Sequence, residues 1–454
     1  MKQSQALDIL KSGYNTFLTG PPGSGKTFLL NKYIEYLKKN NVAVSITAST
    51  GIAATHMGGT TLHSWSGLGI REELDDMEVR KVCDKGYMRS RIKNTNVLII
   101  DEISMIKASQ FEAVNKICQY IKRNIRPFGG MQVVCSGDFF QLPPVEKRNL
   151  PTQEIQGQLD LGSPKPAGTN FVTESFVWKK MEMKVCYLDE QHRTKDKKLH
   201  KILNCIRESK IEKSKDLLFE ELKKVKDLKK VLTKLYTHNI DVDSINYSEL
   251  GKIKGEEYFY QMSTRGNPVV ADILKKSCLA PEKLVLKEGA EVMFIKNNFE
   301  AGYVNGTQGK IIGFAAADLP IVKTDEGKKI TVTYADWNIE EDNSIVAAIS
   351  QIPLRLAWAI TVHKSQGMNL NSAEIDLSRC FLEGMGYVAL SRLRSLKGLR
   401  LMGINHLAFC VNKKATEIDK NFKKLSKEAS AELKKMPSSA VTKRQKLFLK
   451  YLGS

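Results

Sequence analysis

A chain of 454 residues, 42% of them hydrophobic, has room for about two to four domains and a substantial buried core. Its formal charge of +20, from 70 Lys and Arg against 50 Asp and Glu, favours a polyanionic partner, nucleic acid first, over a merely solubilising coat of lysine. No apolar run reaches the ~18–20 residues that span a bilayer, MKQSQALDIL lacks the apolar core and cleavage site of a secretory leader, and none of the eight cysteines forms a CxxC pair, so neither a membrane span nor a signal peptide is expected, neither a disulfide framework nor a cysteine zinc site is suggested, and a reduced cytosolic chain is expected.

In chain order, NTFLT (15–19) predicts a short strand running into TGPPGSGKT (19–27), and TFLLNKYIEYLKKN (27–40) then has helical spacing. Gly20, Gly25, Lys26 and Thr27 satisfy GxxxxGK[ST] in the strand–loop–helix context that gives the motif meaning, with Pro22, Gly23 and Ser24 filling the loop. Glycines admit backbone N–H groups close to phosphates, and the helix N-terminus adds partial positive charge. Lys26 is placed to reach the β- and γ-phosphates and the Thr27 hydroxyl to ligate magnesium.

VAVSIT (42–47) is the next strand, and Thr50 and Gly51 follow it in a small-residue loop suited to a backbone contact with a nucleic-acid strand. His63 and Trp65 come after a Gly-Gly-Thr-Thr turn; Trp65 reads equally as core or as stacking platform. VLIID (97–101) ends in a carboxylate pair. Asp101 suits magnesium, directly or through its shell, and Glu102 suits orienting and deprotonating an attacking water. MQVVCSG (131–137) leads to SGDFFQLPP (136–144), where Gln141 is placed to sense the γ-phosphate. Phe128 and Pro144 flank loops assigned here to the nucleic-acid face, with simple packing as the other reading of both. VCYLDE (185–190) repeats the strand pattern after an irregular stretch, 151–170. Buried strands separated by helices predict a parallel, doubly wound α/β sheet.

Residues 195–234 alternate lysines with acids and leucines, which predicts amphipathic helices with a solvated face. From 284 to 350, turn pairs separate VMFI, KIIGF and KITVTY, the pattern of a small antiparallel unit inserted into a second α/β domain whose texture returns at 358–401. Within it, TVHKSQG (361–367) offers His363 and Lys364 as a phosphate-binding pair. Charge on a transferred phosphoryl group needs arginines beyond Lys26, and Arg193 in LDEQHRT and Arg392 in YVALSR stand just past apolar segments. The tail from Val411 carries 12 Lys and Arg against 4 Asp and Glu, with a PSS break at 437–439; an auxiliary DNA or partner arm and a docked helical appendage are both open.

The phosphate loop, TASTGIAA, GGTTLHSW, DEISM, PFGGMQVVCSGDFFQLPPV, LDEQHRT, TVHKSQG and YVALSR together resemble superfamily-one DNA helicases, and most closely the PIF (petite integration frequency) family in its bacterial form, from Gln3 to about Leu407. The resemblance implies ATP- and magnesium-dependent movement 5′-to-3′ on single-stranded DNA with duplex unwinding, in replication, recombination, repair or telomere-type maintenance. It implies an α/β fold of two RecA-like P-loop domains: 1–179 as domain 1A with a small wedge (1B) at about 66–77, 180–262 with 350–405 as domain 2A, 263–349 as a β-barrel-like insertion (2B), and 406–454 as a basic extension. It assigns Gln3 to adenine, Arg193 and Arg392 as arginine fingers of the second domain, His63 and Asn239 to DNA, and supports the other assignments above. GMGYVALSR departs from the usual pattern, with Gly386 rather than glutamine ahead of Tyr387. Expected partners are single-stranded and 5′-tailed DNA, for a monomer in the cytoplasm at the nucleoid. A nucleotide-gated DNA-binding switch, or a DNA-dependent ATPase without processive unwinding, is the alternative.

Overall fold

The computed structural model describes residues 1–69, 71, 73–84, 86–144, 171–190, 196–224, 233–237, 242–298, 300–341 and 344–452. Two residues assigned from the sequence, Arg193 and Asn239, lie outside the described residues.

The first sheet is built from β1 (Thr16–Thr19), β2 (Val44–Ala48), β3 (Thr60–Thr61), β4 (Val97–Asp101), β5 (Gln132–Gly137) and β6 (Lys184–Tyr187). All pair in parallel, in the order β3-β2-β4-β5-β1-β6. β1, β4 and β5 are buried along their whole length, hence their unbroken rather than alternating sequence pattern. The pleat sends successive side chains to opposite faces. Phe17, Leu98, Ile100, Val133 and Cys135 join one core with the Ala108–Lys122 helix; Leu18, Ile99 and Val134 join another with the Gln3–Lys11 and Lys26–Lys39 helices.

This strand order decides where chemistry gathers. β5 lies between β4 and β1, so the phosphate loop, the Asp101–Glu102 pair and the Gln141 loop all leave neighbouring carboxyl ends. In open α/β sheets that edge is where ligands bind.

The second parallel sheet runs in the order Ala359–Thr361, Lys234–Tyr236, Ala373–Leu377, Leu399–Ile404. Antiparallel strands from Tyr258 to Leu356 interrupt it in sequence. Five of them form one sheet, from Lys329–Thr331 at one edge to Leu354–Leu356 at the other, over a separate core that includes Leu286, Val292, Phe294 and Val322. The sheet therefore takes a strand from beyond residue 349. Segment 66–77 joins the Leu62–Ser66 helix to the Asp76–Cys83 helix and buries Leu68 and Leu74; its described residues form no strand.

Helices Lys197–Arg207 and Ile211–Leu222 occupy the lysine-dense stretch. In the first, Leu199, Ile202, Leu203 and Ile206 are buried while Lys197, Lys198 and Lys201 face solvent. The basic tail is docked. Its Lys413–Lys435 helix runs beside β6, with Phe422 against Phe17 (ring centroids 4.8 Å apart) and Ser426 Oγ accepting from Tyr187 N at 3.0 Å. The Ser438–Leu452 helix lies on the first helix, where Arg444 Nε donates to Ser12 O at 3.2 Å.

Candidate active site and nucleic-acid interface

Two glycines shape the loop after β1. Gly20 has φ 146°, and a Cβ there would sit 2.2 Å from Leu188 O. Gly25, at φ 86°, precedes the Lys26–Lys39 helix and offers no capping side chain, so the first-turn N–H groups are left for another acceptor. Lys26 Nζ donates to Gly20 O at 2.8 Å and to Pro21 O at 3.3 Å. Gln3 Nε2 donates to Ser24 O at 3.3 Å, fastening the first helix to the loop.

Asp101 closes β4 and accepts from Glu102 N at 2.9 Å. Glu102 itself holds φ 50°, ψ 44°, a left-handed conformation that costs a non-glycine residue about 1–3 kcal/mol and clusters at functional sites. Burial, then the Asp101 charge, pushes the Glu102 carboxyl up to about 7, against the opposing pull of Lys26 and Arg392. Burial likewise raises Asp101. Gln141 is 6% exposed, its N donates to Asp138 O at 3.0 Å, and its Oε1 is buried with no protein partner among the described residues. Leaving such an acceptor unmet costs about 1–3 kcal/mol, which a bound water donating to it would relieve.

Arg392 enters from the second domain, just past the Met385–Ser391 helix. It is 1% exposed, and its guanidinium donates to Val388 O (3.1 Å), Ser391 Oγ (2.9 Å) and Ser365 O (3.5 Å). Burial pulls it below the ordinary arginine value, with Glu102 pulling the other way. A cavity of roughly 530 Å³ has Gln3, Lys26, Thr27, Glu102 and Gln141 on one wall and Arg392 on the other. Phe28, Gly367 and Asn369 also line it. Sequence reasoning singled out none of the three: Phe28 and Asn369 lie outside the quoted motifs, and Gly367 closes TVHKSQG, where attention fell on His363 and Lys364. The cradle with no room for a Cβ and the lysine beside it fit a triphosphate, and the unmet Gln141 acceptor fits a water donating to it. The Thr27 hydroxyl and Asp101 carboxylate are the hard oxygen donors magnesium takes.

Among the residues assigned to DNA from the sequence, Thr50 Oγ1 accepts from Ala53 N at 3.3 Å and caps the Gly51–His56 helix. Ile52 of this helix and Lys364 of the second domain border one cavity of roughly 340 Å³, with Tyr247 and Arg355. His363 adjoins Lys364, and His63 lies in the Leu62–Ser66 helix; burial lowers both imidazoles from their ordinary value. Phe128 requires correction. It is fully buried, 4.8 Å from the Phe111 ring, with its N donating to Asn115 Oδ1 at 2.7 Å, so its ring packs the core and presents no face to a base. Pro144 is also buried, at the last described position before 145–170. Trp65, 2% exposed, belongs to the core.

Residues 3–217 match the family described as PIF1-like helicase, and residues 270–314 match DNA helicase Pif1, 2B domain. The ATP-dependent DNA helicase Pif1 of Psychrobacter sp. (strain PRwf-1) is 41% identical, over 94% of this chain and 72% of that protein. The structure of Bacteroides sp Pif1 with ADP-AlF4 superposes with a TM-score of 0.76 at 29% identity, covering 93% of this chain and 97% of that one. Bacteroides Pif1 bound to ssDNA gives 0.61 at 29% identity, over 93% and 97%. The two parallel sheets are those of two RecA-like domains, and with a nucleotide cradle on one facing an arginine on the other, the chain belongs to the PIF1-like helicase family.

Proposed function

We propose that this chain hydrolyses ATP in the cleft between its two RecA-like domains and spends the cycle moving 5′-to-3′ along single-stranded DNA and parting duplexes. The shared cavity carries the reading: a nucleotide held by Lys26 and Thr27 borders Arg392, so it bridges two bodies that can close on it. Glu102 orients the attacking water and takes its proton, Gln141 senses the γ-phosphate, and Lys26 and Arg392 meet the charge that develops on the phosphoryl oxygens. Arg193 is assigned beside Arg392 as the second finger, and Gln3 reads adenine. Thr27 and Asp101 would hold magnesium, which when bound neutralises phosphate charge.

Thr50, Gly51 and His63 grip the strand from the first domain, and His363, Lys364 and Asn239 from the second. Closing and opening the cleft shifts one grip relative to the other. The wedge is assigned to 66–77 and the 2B insertion to 263–349, together with the Leu354–Leu356 strand that completes its sheet. Support for DNA as partner comes from the ssDNA complex of the Bacteroides relative and from the chain's +20 charge. The chain is proposed to be a monomer in solution, in the cytoplasm and associated with the nucleoid.

Strand separation on duplexes with a 5′ tail, a 3′ tail or none tests the reading under saturating ATP and magnesium. Unwinding confined to the 5′-tailed substrate is expected. ATP turnover stimulated by single strands without any unwinding would leave the nucleotide-gated switch instead.

A further inference from the structure

Arg207 ends the Lys197–Arg207 helix, 6% exposed, outside every assigned motif. Its Nη1 donates to both carboxylate oxygens of Asp138 at 2.9 Å and to Tyr387 Oη at 2.8 Å. Its Nη2 donates to Tyr187 Oη at 2.9 Å and to Asp419 Oδ1 at 3.0 Å. Tyr387 Oη in turn donates to Asp138 Oδ2 at 3.1 Å, and the Phe140 ring lies 4.1 Å from the guanidinium. One planar cation thus joins four segments: the loop after β5, β6, the Met385–Ser391 helix and the tail helix.

The two central partners adjoin catalytic groups. Asp138 stands three residues before Gln141 and accepts its N–H through the backbone carbonyl. Tyr387 stands on the helix that delivers Arg392. Resting on the ATPase reading above, we propose that Arg207 is a positioning residue that holds the Gln141 loop and the Arg392 helix in register across the cleft, so that both halves respond to nucleotide together. A buried ion cluster is a poor source of stability, because desolvation offsets its attraction. Its geometric effect is to fix one arrangement, since the planar fork cannot serve Asp138 and Tyr387 from two directions at once.

Two single-hydroxyl variants of the full chain separate this from a merely structural role. Tyr387→Phe removes the hydroxyl that contacts both Arg207 and Asp138. Tyr187→Phe removes one that contacts Arg207 from β6, away from the Arg392 helix. With an oligo-dT strand and magnesium, Tyr387→Phe is expected to cut kcat for ATP by about tenfold to a hundredfold, the scale of a misplacement of about 1 Å. KM for ATP should stay within about twofold, and Tyr187→Phe should keep kcat within about twofold. Arg207→Lys keeps the charge but loses the fork, and should repeat the kcat loss. Equal kcat effects in both tyrosine variants, or unchanged kcat in Tyr387→Phe and Arg207→Lys, overturn the inference alone. Absence of turnover in the unmodified chain overturns the ATPase reading, and the inference with it.

Discussion

Glu102 and Asp101 share a strand end yet differ in what they can do. Asp101 accepts its neighbour's N–H, whereas Glu102 is turned by its left-handed backbone toward the cavity that Arg392 borders. Glu102→Gln keeps the shape and removes the base, so kcat is expected to fall about 10²–10⁴-fold, with ATP affinity measured by titration nearly intact. A variant that turns over normally ends the assignment. The DNA pair is separable in the same way. Burial lowers the His363 imidazole, so on the proposed DNA role a neutral ring would give a hydrogen bond without releasing a counterion. Lys364→Ala should flatten the slope of log affinity against log salt by about 0.7, the single-strand value for one phosphate contact. His363→Ala should weaken binding at every salt concentration and leave the slope alone; a slope change in the histidine variant would mean a charged ring. The phosphate-loop residues were legible in the sequence because their contacts are local and their spacing is fixed. Arg207 was not, because its partners lie 20, 69, 180 and 212 residues away and a lone arginine on a lysine-rich helix carries no signal.

Among elements, the central strands were the most readable, since burial on both faces writes a continuous apolar run. β3 was not: its two threonines sit in what reads as a turn, and only pairing of Thr47 with Thr60 and Ala48 with Thr61 makes a strand of them. The Met385–Ser391 helix explains the departure at Gly386. A Cβ at that position would lie 2.1 Å from Ala408 O, in the His406–Phe409 turn against which the helix packs. The close approach, rather than backbone conformation, demands glycine. Gly386→Ala must push the helix off the turn, costing about 1–3 kcal/mol and displacing Arg392. Thermal unfolding should report the first effect and ATP turnover the second. Full stability with full activity would show that the turn yields instead.

At the scale of the whole molecule, the question is what the +20 charge is for and where the basic tail stands in it. Composition alone left an arm and an appendage open, because lysines mark both. The Ser438–Leu452 helix answers with its apolar side: Phe448, Leu449 and Leu452 pack on the core that holds Ala6 and Leu10, Asn96 Nδ2 donates to Leu452 O at 3.0 Å, and Arg444 lies 3.9 Å over the Tyr14 ring. Lys443, Lys446 and Lys450 point to solvent around it. Removing residues 438–454 strips three partly buried side chains from the first domain, a loss on the order of 3 kcal/mol by area. The truncated chain should therefore unfold at a lower temperature. If those lysines only solvate the helix, its salt slope on single-stranded DNA will match that of the full chain at a temperature where both are folded. A slope flatter by about 2, the value for three lost contacts at about 0.7 each, would instead make the docked helix part of the DNA track.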